Sequence, residues 1–162
     1  MRFKYNECVY YFREVIQMSY KIIIPAWLSI SVAIDYACTL RFAENKEYLI
    51  ENEHSALLTH AVEHDILIPY LMLIMAVYFT CAYIALDALH NHRLLPMACV
   101  SIILVAIAHT FGGISWYVRN DIYSGMIIII PQIAFVLMVL CFTFLLVDRC
   151  KLPFNLHHIL QK

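Results

Sequence analysis

The chain has 162 residues, of which 63% are hydrophobic, and a formal net charge of −1. An ordinary soluble domain is only about 45–50% apolar, and so short a chain has too little volume for its surface to hide the excess from water. The composition therefore argues against a soluble globular domain and for surface that faces lipid. The near-neutral charge, with no basic run interleaved with aromatics, argues against a nucleic-acid partner.

The first 21 residues are amphipathic. Phe3, Val9, Phe12, Val15, Ile16 and Tyr20 alternate with Lys4, Glu7, Arg13, Glu14 and Lys21, the pattern of an interfacial helix lying among lipid headgroups. Four apolar runs follow, at 22–43, 66–88, 94–118 and 122–147, each near the roughly 20 residues that cross a bilayer as a helix. The first carries Asp35 and is too long for a signal-peptide core, so it reads as a retained span. The links at 89–93 and 119–121 are short, which forces neighbouring spans to run antiparallel. The expected fold is thus all-α: a polytopic membrane protein with a four-helix antiparallel bundle at 22–147. The interfacial helix at 1–21 precedes it, and a cytoplasmic tail at 148–162 follows.

Orientation follows from Lys and Arg in the short flanks. Arg2, Lys4, Arg13, Lys21, Arg93, Arg149, Lys151 and Lys162 fall on one side, and Arg41, Lys46 and Arg119 on the other. Eight against three puts both termini in the cytoplasm and the loop at 44–65 outside. Four of the six cysteines, Cys38, Cys81, Cys99 and Cys141, lie in apolar runs and read as packing residues. None of the six forms a C-x-x-C pair, which argues against a thiol redox site.

Polar groups inside apolar spans are costly and therefore informative. Asp35, His109 and Gln132 lie on three different spans at one depth, about 12–15 Å below the outer boundary at 1.5 Å per residue. Ser31, Asp35 and Thr39 recur every fourth position, which makes one polar stripe. Gly112 and Gly113 open a close approach beside His109. The expected polar intramembrane cluster is Asp35, Thr39, His109 and Gln132. In the second span the same layer falls near Met75.

The outer loop carries His54, His60 and His64 with Glu53 and Glu63. His60 and His64 stand one helical turn apart, so on a helix both imidazoles share a face and can share a metal. His60–Ala61–Val62–Glu63–His64 also reads H-x-x-E-H, in which the glutamate would act as general base. The expected metal ligands are His60, His64, His54 and Glu53, with zinc favoured over copper, and Glu63 is the catalytic candidate. His90, His92, His157 and His158 read as solvent-facing. Asp87, at the inner end of the second span, reads as an ion-pair partner of Lys21 or Arg93.

Asp35–Tyr36–Ala37–Cys38–Thr39, followed by Glu53–His54–Ser55–Ala56–Leu57 and an apolar span, resembles a family of small archaeal and bacterial membrane proteins of unassigned function. Its members carry Asp-x-x-x-Thr in the first span and Glu-x-Asn-Pro-Leu before the second. Asp35, Thr39, Glu53 and Leu57 match, and Ser55 and Ala56 replace Asn and Pro. The resemblance implies a four-helix membrane domain in a prokaryotic cell membrane, with Asp35, Thr39 and Glu53 in one site, and no reaction.

The composition fits a non-catalytic subunit of a membrane complex, associated with other membrane subunits or with itself. The alternatives are an outward-facing metal-binding protein or metalloenzyme built on His60 and His64, and a b-type haem bundle with His109 as an axial ligand. The topology is checked by cysteine substitution at Glu47 and Gln161. A membrane-impermeant thiol reagent is expected to modify the first in intact cells and the second only after permeabilisation, and the reverse pattern would invert the orientation.

Overall fold

The computed structural model describes the backbone of residues 2–53 and 55–155 and the side chains of 19–53, 55–120 and 122–148. Within them are six helices and no strand: α1 (Arg2–Phe42), α2 (Lys46–Asn52), α3 (Ala56–Glu63), α4 (Leu67–Ala88), α5 (Leu95–Val118) and α6 (Asp121–Asn155). Four stretches are long and apolar enough to cross a membrane, at Ser19–Phe42, Leu67–Ala88, Leu95–Val118 and Ile122–Asp148.

The backbone runs as one helix from Arg2 through Phe42, so no break separates residues 2–21 from the first span. Forty-one residues in one helix reach about 60 Å at 1.5 Å per residue. Pro25 sits inside this helix, and its side chain is fully buried, so neighbouring helices cover the turn that the proline weakens.

The ends of the helices have local causes. Asn45 caps α2 by accepting from the Tyr48 amide at 2.7 Å, and Ser55 caps α3 by accepting from Leu58. The turn from α3 to α4 passes through Asp65 at φ 55°, a left-handed conformation that a short polar side chain tolerates better than most. Pro96 stands in the first turn of α5, where its missing N–H costs nothing. Arg119 closes α5 at φ 49°.

α1 lies between α4 and α5, and α5 lies between α1 and α6. Pairs along α1 and α4 run in opposite chain order: Tyr20 with His90, Lys21 with Asp87, Ser29 with Met75, and Tyr36 with Tyr70. Along α1 and α5 they run in the same order, Asp35 with His109 and Phe42 with Tyr117. The seams are built from small residues. Ser29, Ser31 and Thr39 are buried on α1, Ala82 and Ala85 on α4, Ala98, Ser101, Ala106, Ala108 and Gly113 on α5, and Ala134 on α6. Apolar helices in lipid gain nothing from burying more leucine, so close van der Waals approach between small residues is what holds such seams. Leu28, Val32, Leu86, Leu89 and Ile102 fill the core, and Leu58 of α3 joins the same cluster.

Ion pairs pin both ends. Lys21 holds Asp87 at 2.7 Å, and Arg93 reaches Asp148 instead. His92 lies 3.3 Å from that same Asp148 carboxylate, and the Tyr20 hydroxyl meets His90 at 2.7 Å. Neither histidine is freely solvated, because each is drawn into the contact between helix ends. His157 and His158 lie outside the described residues. The loop at 44–65 is largely helical rather than extended, and α3 turns Leu58 and Ala61 inward.

A β-carbon added at Gly113 would stand 2.8 Å from the Asp35 Cα, whereas one at Gly112 would stand 3.6 Å from the nearest Asp35 carboxylate oxygen. The first obstacle is backbone and cannot yield. Gly113→Ala is therefore expected to destabilise the folded chain by about 1–3 kcal/mol through overpacking. Gly112→Ala should be neutral or slightly stabilising, since alanine is the better helix former by about 1 kcal/mol. Unfolding titrations in mixed detergent compare the two, and equal stabilities would mean that α1 and α5 do not meet at Gly113.

Candidate functional site: a polar cavity at Asp35 and His109

The α1–α5 contact at Gly113 sets the geometry of the polar groups around it. One turn before Gly113, His109 points at α1, and its Nδ1 lies 2.7 Å from the Asp35 carboxylate. Its Nε2 lies 3.1 Å from the Tyr78 hydroxyl of α4, whose ring stands edge-on to the imidazole at a centroid distance of 5.1 Å. An ionised carboxylate only accepts, so the Nδ1–H donates to Asp35 and leaves Nε2 to face the tyrosine O–H. Three helices are thus joined through one imidazole. The chain of bonds fixes the ring orientation as a carboxylate fixes a working histidine elsewhere.

The cluster is not sealed. The Asp35 and His109 side chains keep 18% and 19% of their surface exposed, and they open on a cavity of about 780 Å³. All four long helices contribute to its walls: Asp35, Tyr36 and Thr39 from α1, Tyr78 from α4, His109, Gly112, Ser115 and Trp116 from α5, and Ser124, Ile127 and Ile128 from α6. Tyr48, Glu51 and Asn52 of α2, with Glu53 and Ser55 beyond it, line the loop end. Glu53 faces the cavity while accepting from the Ser55 amide at 2.8 Å.

Arg119 fastens the rim. Its guanidinium donates to Glu44 at 2.7 Å and to the Phe42 carbonyl at 3.2 Å. It also lies 5.7 Å from the centre of the Tyr48 ring, within cation–π range. The hydrogen bond to Glu44 is the largest cause holding the guanidinium pKa above its ordinary value. The end of α5 is thereby tied to the end of α1, and the α2 segment is held beside both. Tyr48 meets Trp116 edge-on at 6.2 Å.

Asp35, Thr39 and His109 of the expected polar cluster come together, and Gln132 does not. It is exposed on α6, on a face turned away from α5 although its depth matches. Equal depth on a helix says nothing about azimuth, which α5–α6 packing decides. Tyr78 takes the place that the sequence left to Met75. Met75 contributes only its carbonyl, to the Ser29 hydroxyl. A signal for Tyr78 was present: tyrosine favours span ends, and this one stands midway along α4.

The loop residues divide. His60, Glu63 and His64 cluster, with ligand atoms within 4.8 Å of one another. Glu53 is not among them and belongs to the cavity, and His54 lies outside the described residues. In this exposed cluster Glu63 lies beside the two imidazoles. A haem axial ligand at His109 does not fit, because both ring nitrogens are engaged by Asp35 and Tyr78.

No protein-family model matches the chain, and no curated protein and no solved structure matches it.

The Asp35–His109 bond can be weighed by a double-mutant cycle with Asp35→Asn and His109→Gln. Partners in one hydrogen-bonded network couple by about 0.5–3 kcal/mol. Each single variant is expected to destabilise the chain in detergent unfolding, and the double variant to cost less than the sum. Strict additivity would mean that the two side chains do not interact.

Proposed function

We propose that this chain is an integral membrane protein whose four long helices form an antiparallel bundle, with both termini cytoplasmic, and that it binds a small polar molecule in the cavity at Asp35 and His109. The observation that carries this reading is the opening of the Asp35–His109 pair onto a cavity of about 780 Å³. A polar pair that served only to register helices would do so best in a closed seam, where no water competes for its hydrogen bonds. An ionisable pair within a span is expensive, and in membrane proteins it marks a ligand or ion path by default.

The lining favours a ligand rich in donors. Asp35, Glu51 and Glu53 place carboxylates in its walls, with Asp35 also bonded to His109 and Glu53 to the Ser55 amide, and Tyr48 and Trp116 add aromatic rings. The one arginine of the rim is already committed to Glu44. A compact molecule carrying an amine or several hydroxyls suits these walls, entering from the loop side past Glu51 and Asn52.

The role in this reading is binding and non-catalytic, within a larger membrane assembly. Little of α4 and α6 is buried in the chain: 6% and 11% of their most apolar windows, against 39% for α1 and 33% for α5. Those outer faces are left for lipid or for a further membrane subunit.

The test has two arms. With the protein in nanodiscs, a charged methanethiosulfonate reagent is expected to modify Ser115→Cys at least about tenfold faster than Leu73→Cys, whose side chain faces outward on α4 where lipid excludes charge. Equal, slow rates would mean a closed seam and no binding site. In the second arm, small molecules extracted from purified wild type and Asp35→Asn are compared by mass spectrometry. A species present in the wild type and lost from the variant is expected, and identical profiles would overturn the binding role.

A further inference from the structure

We propose that His60, Glu63 and His64, brought together at the exposed end of α3, form a binding site for a divalent transition metal, zinc in the first place. The site is separate from the cavity and does not depend on the reading given to it.

The cluster has the donor set and the spacing that such an ion needs. Each residue offers one ligand atom, and the three atoms lie within 4.8 Å of one another. Around zinc, at about 2.0–2.1 Å to each nitrogen or oxygen, tetrahedral ligands stand about 3.3 Å apart. Closing from the observed spacing is a matter of an ångström or so, and all three residues are exposed, which leaves room for the side chains to adjust. The two imidazole centroids are already 4.0 Å apart.

One ring is held ready for coordination. His64 Nδ1 lies 3.0 Å from the His60 carbonyl oxygen. A carbonyl can only accept, so Nδ1 carries the proton and donates. In the neutral ring that leaves Nε2 as the bare lone pair, the atom that a metal takes. The backbone carbonyl thus serves His64 as the outer partner that orients a ligating histidine.

The platform beneath is firm. The opposite face of α3 buries Leu58 and Ala61 almost completely, so the helix is anchored while its ligand face is outward. Lys46 donates to the Glu63 carbonyl and to Asp65, both at 3.3 Å, which fastens the end of α3 to the start of α2. The ligands fall in the last turn of the helix and at its cap, where the helix dipole favours a cation. Two imidazoles and a carboxylate select zinc or copper over calcium or magnesium, which prefer oxygen alone. Three protein ligands leave a fourth position for water, as in an exchangeable site.

The experiment uses the full chain, purified with a tag that contains no histidine, stripped of metal, and dialysed to equilibrium against zinc sulfate. The wild type is expected to take up one more zinc per chain than His60→Ala/His64→Ala. Glu63→Gln should weaken that uptake by at least about tenfold, since loss of even an outer partner of a ligand costs about 10–100-fold, while His90→Ala/His92→Ala should bind as the wild type does. Calcium at the same concentration should not compete. Equal zinc uptake by the wild type and His60→Ala/His64→Ala would overturn the site, as would full uptake by Glu63→Gln together with loss in His90→Ala/His92→Ala. Because these side chains are exposed, the variants keep the fold, and a change in uptake reads the ligands themselves.

Discussion

The close approach of α1 and α5 at Gly113 is the constraint on which the rest of the structure depends. With no side chain at Gly113, the two backbones come so near that an added β-carbon would stand 2.8 Å from the Asp35 Cα. That proximity brings the Asp35 carboxylate against His109, and His109 in turn reaches Tyr78. A wider spacing would leave a carboxylate and an imidazole unpaired inside apolar helices, at a cost of several kcal/mol for each unsatisfied group. The glycine and the acid are therefore parts of one device: the first permits the geometry that makes the second tolerable.

The end of the molecule that carries α2 and α3 extends the same logic. The α1–α5 pair is prolonged by Arg119, which bonds to Glu44 and to the Phe42 carbonyl. α2 is laid beside this clamp, with Tyr48 against the guanidinium and against Trp116. α3 is pinned by Leu58, which joins the core formed by α1, α4 and α5. The loop thus forms a folded cover at the mouth of the polar cavity. Its two helices do different things: α2 and the residues after it turn polar groups towards the cavity, and α3 turns apolar groups inward and its histidines outward. The same loop therefore lines the cavity and carries the exposed histidine cluster.

Stability at the two ends rests on different terms. At the end away from α2, large aliphatic side chains from α1, α4 and α5 interlock, and the Lys21–Asp87 pair lies at the helix boundary. Towards α2 the contacts are polar and aromatic and surround open space. The cavity depends on this asymmetry, because its walls must be held apart from one end if they are not to collapse into a dry seam. α6 completes the cavity wall with Ile127 and Ile128, and it is mainly α5 that supports it.

Length and hydropathy alone determined that the chain carries four apolar helices, since about 20 apolar residues in a row admit no other economical arrangement of backbone hydrogen bonds in lipid. The depth of Asp35 and His109 could also be counted along the chain, because helical rise is constant. So could the shared face of His60 and His64, because their spacing is local. Azimuth could not be counted. Gln132 matches Asp35 and His109 in depth and yet faces outward, and Tyr78 reaches His109 although Met75 matched better in depth. Which side of a helix meets which neighbour depends on how small residues on both seams nest, and that is a property of the packed helices rather than of any one of them. Tertiary structure likewise decided that Glu53 joins the cavity and Glu63 the histidines, because Glu53 caps α2 whereas Glu63 stands at the far end of α3.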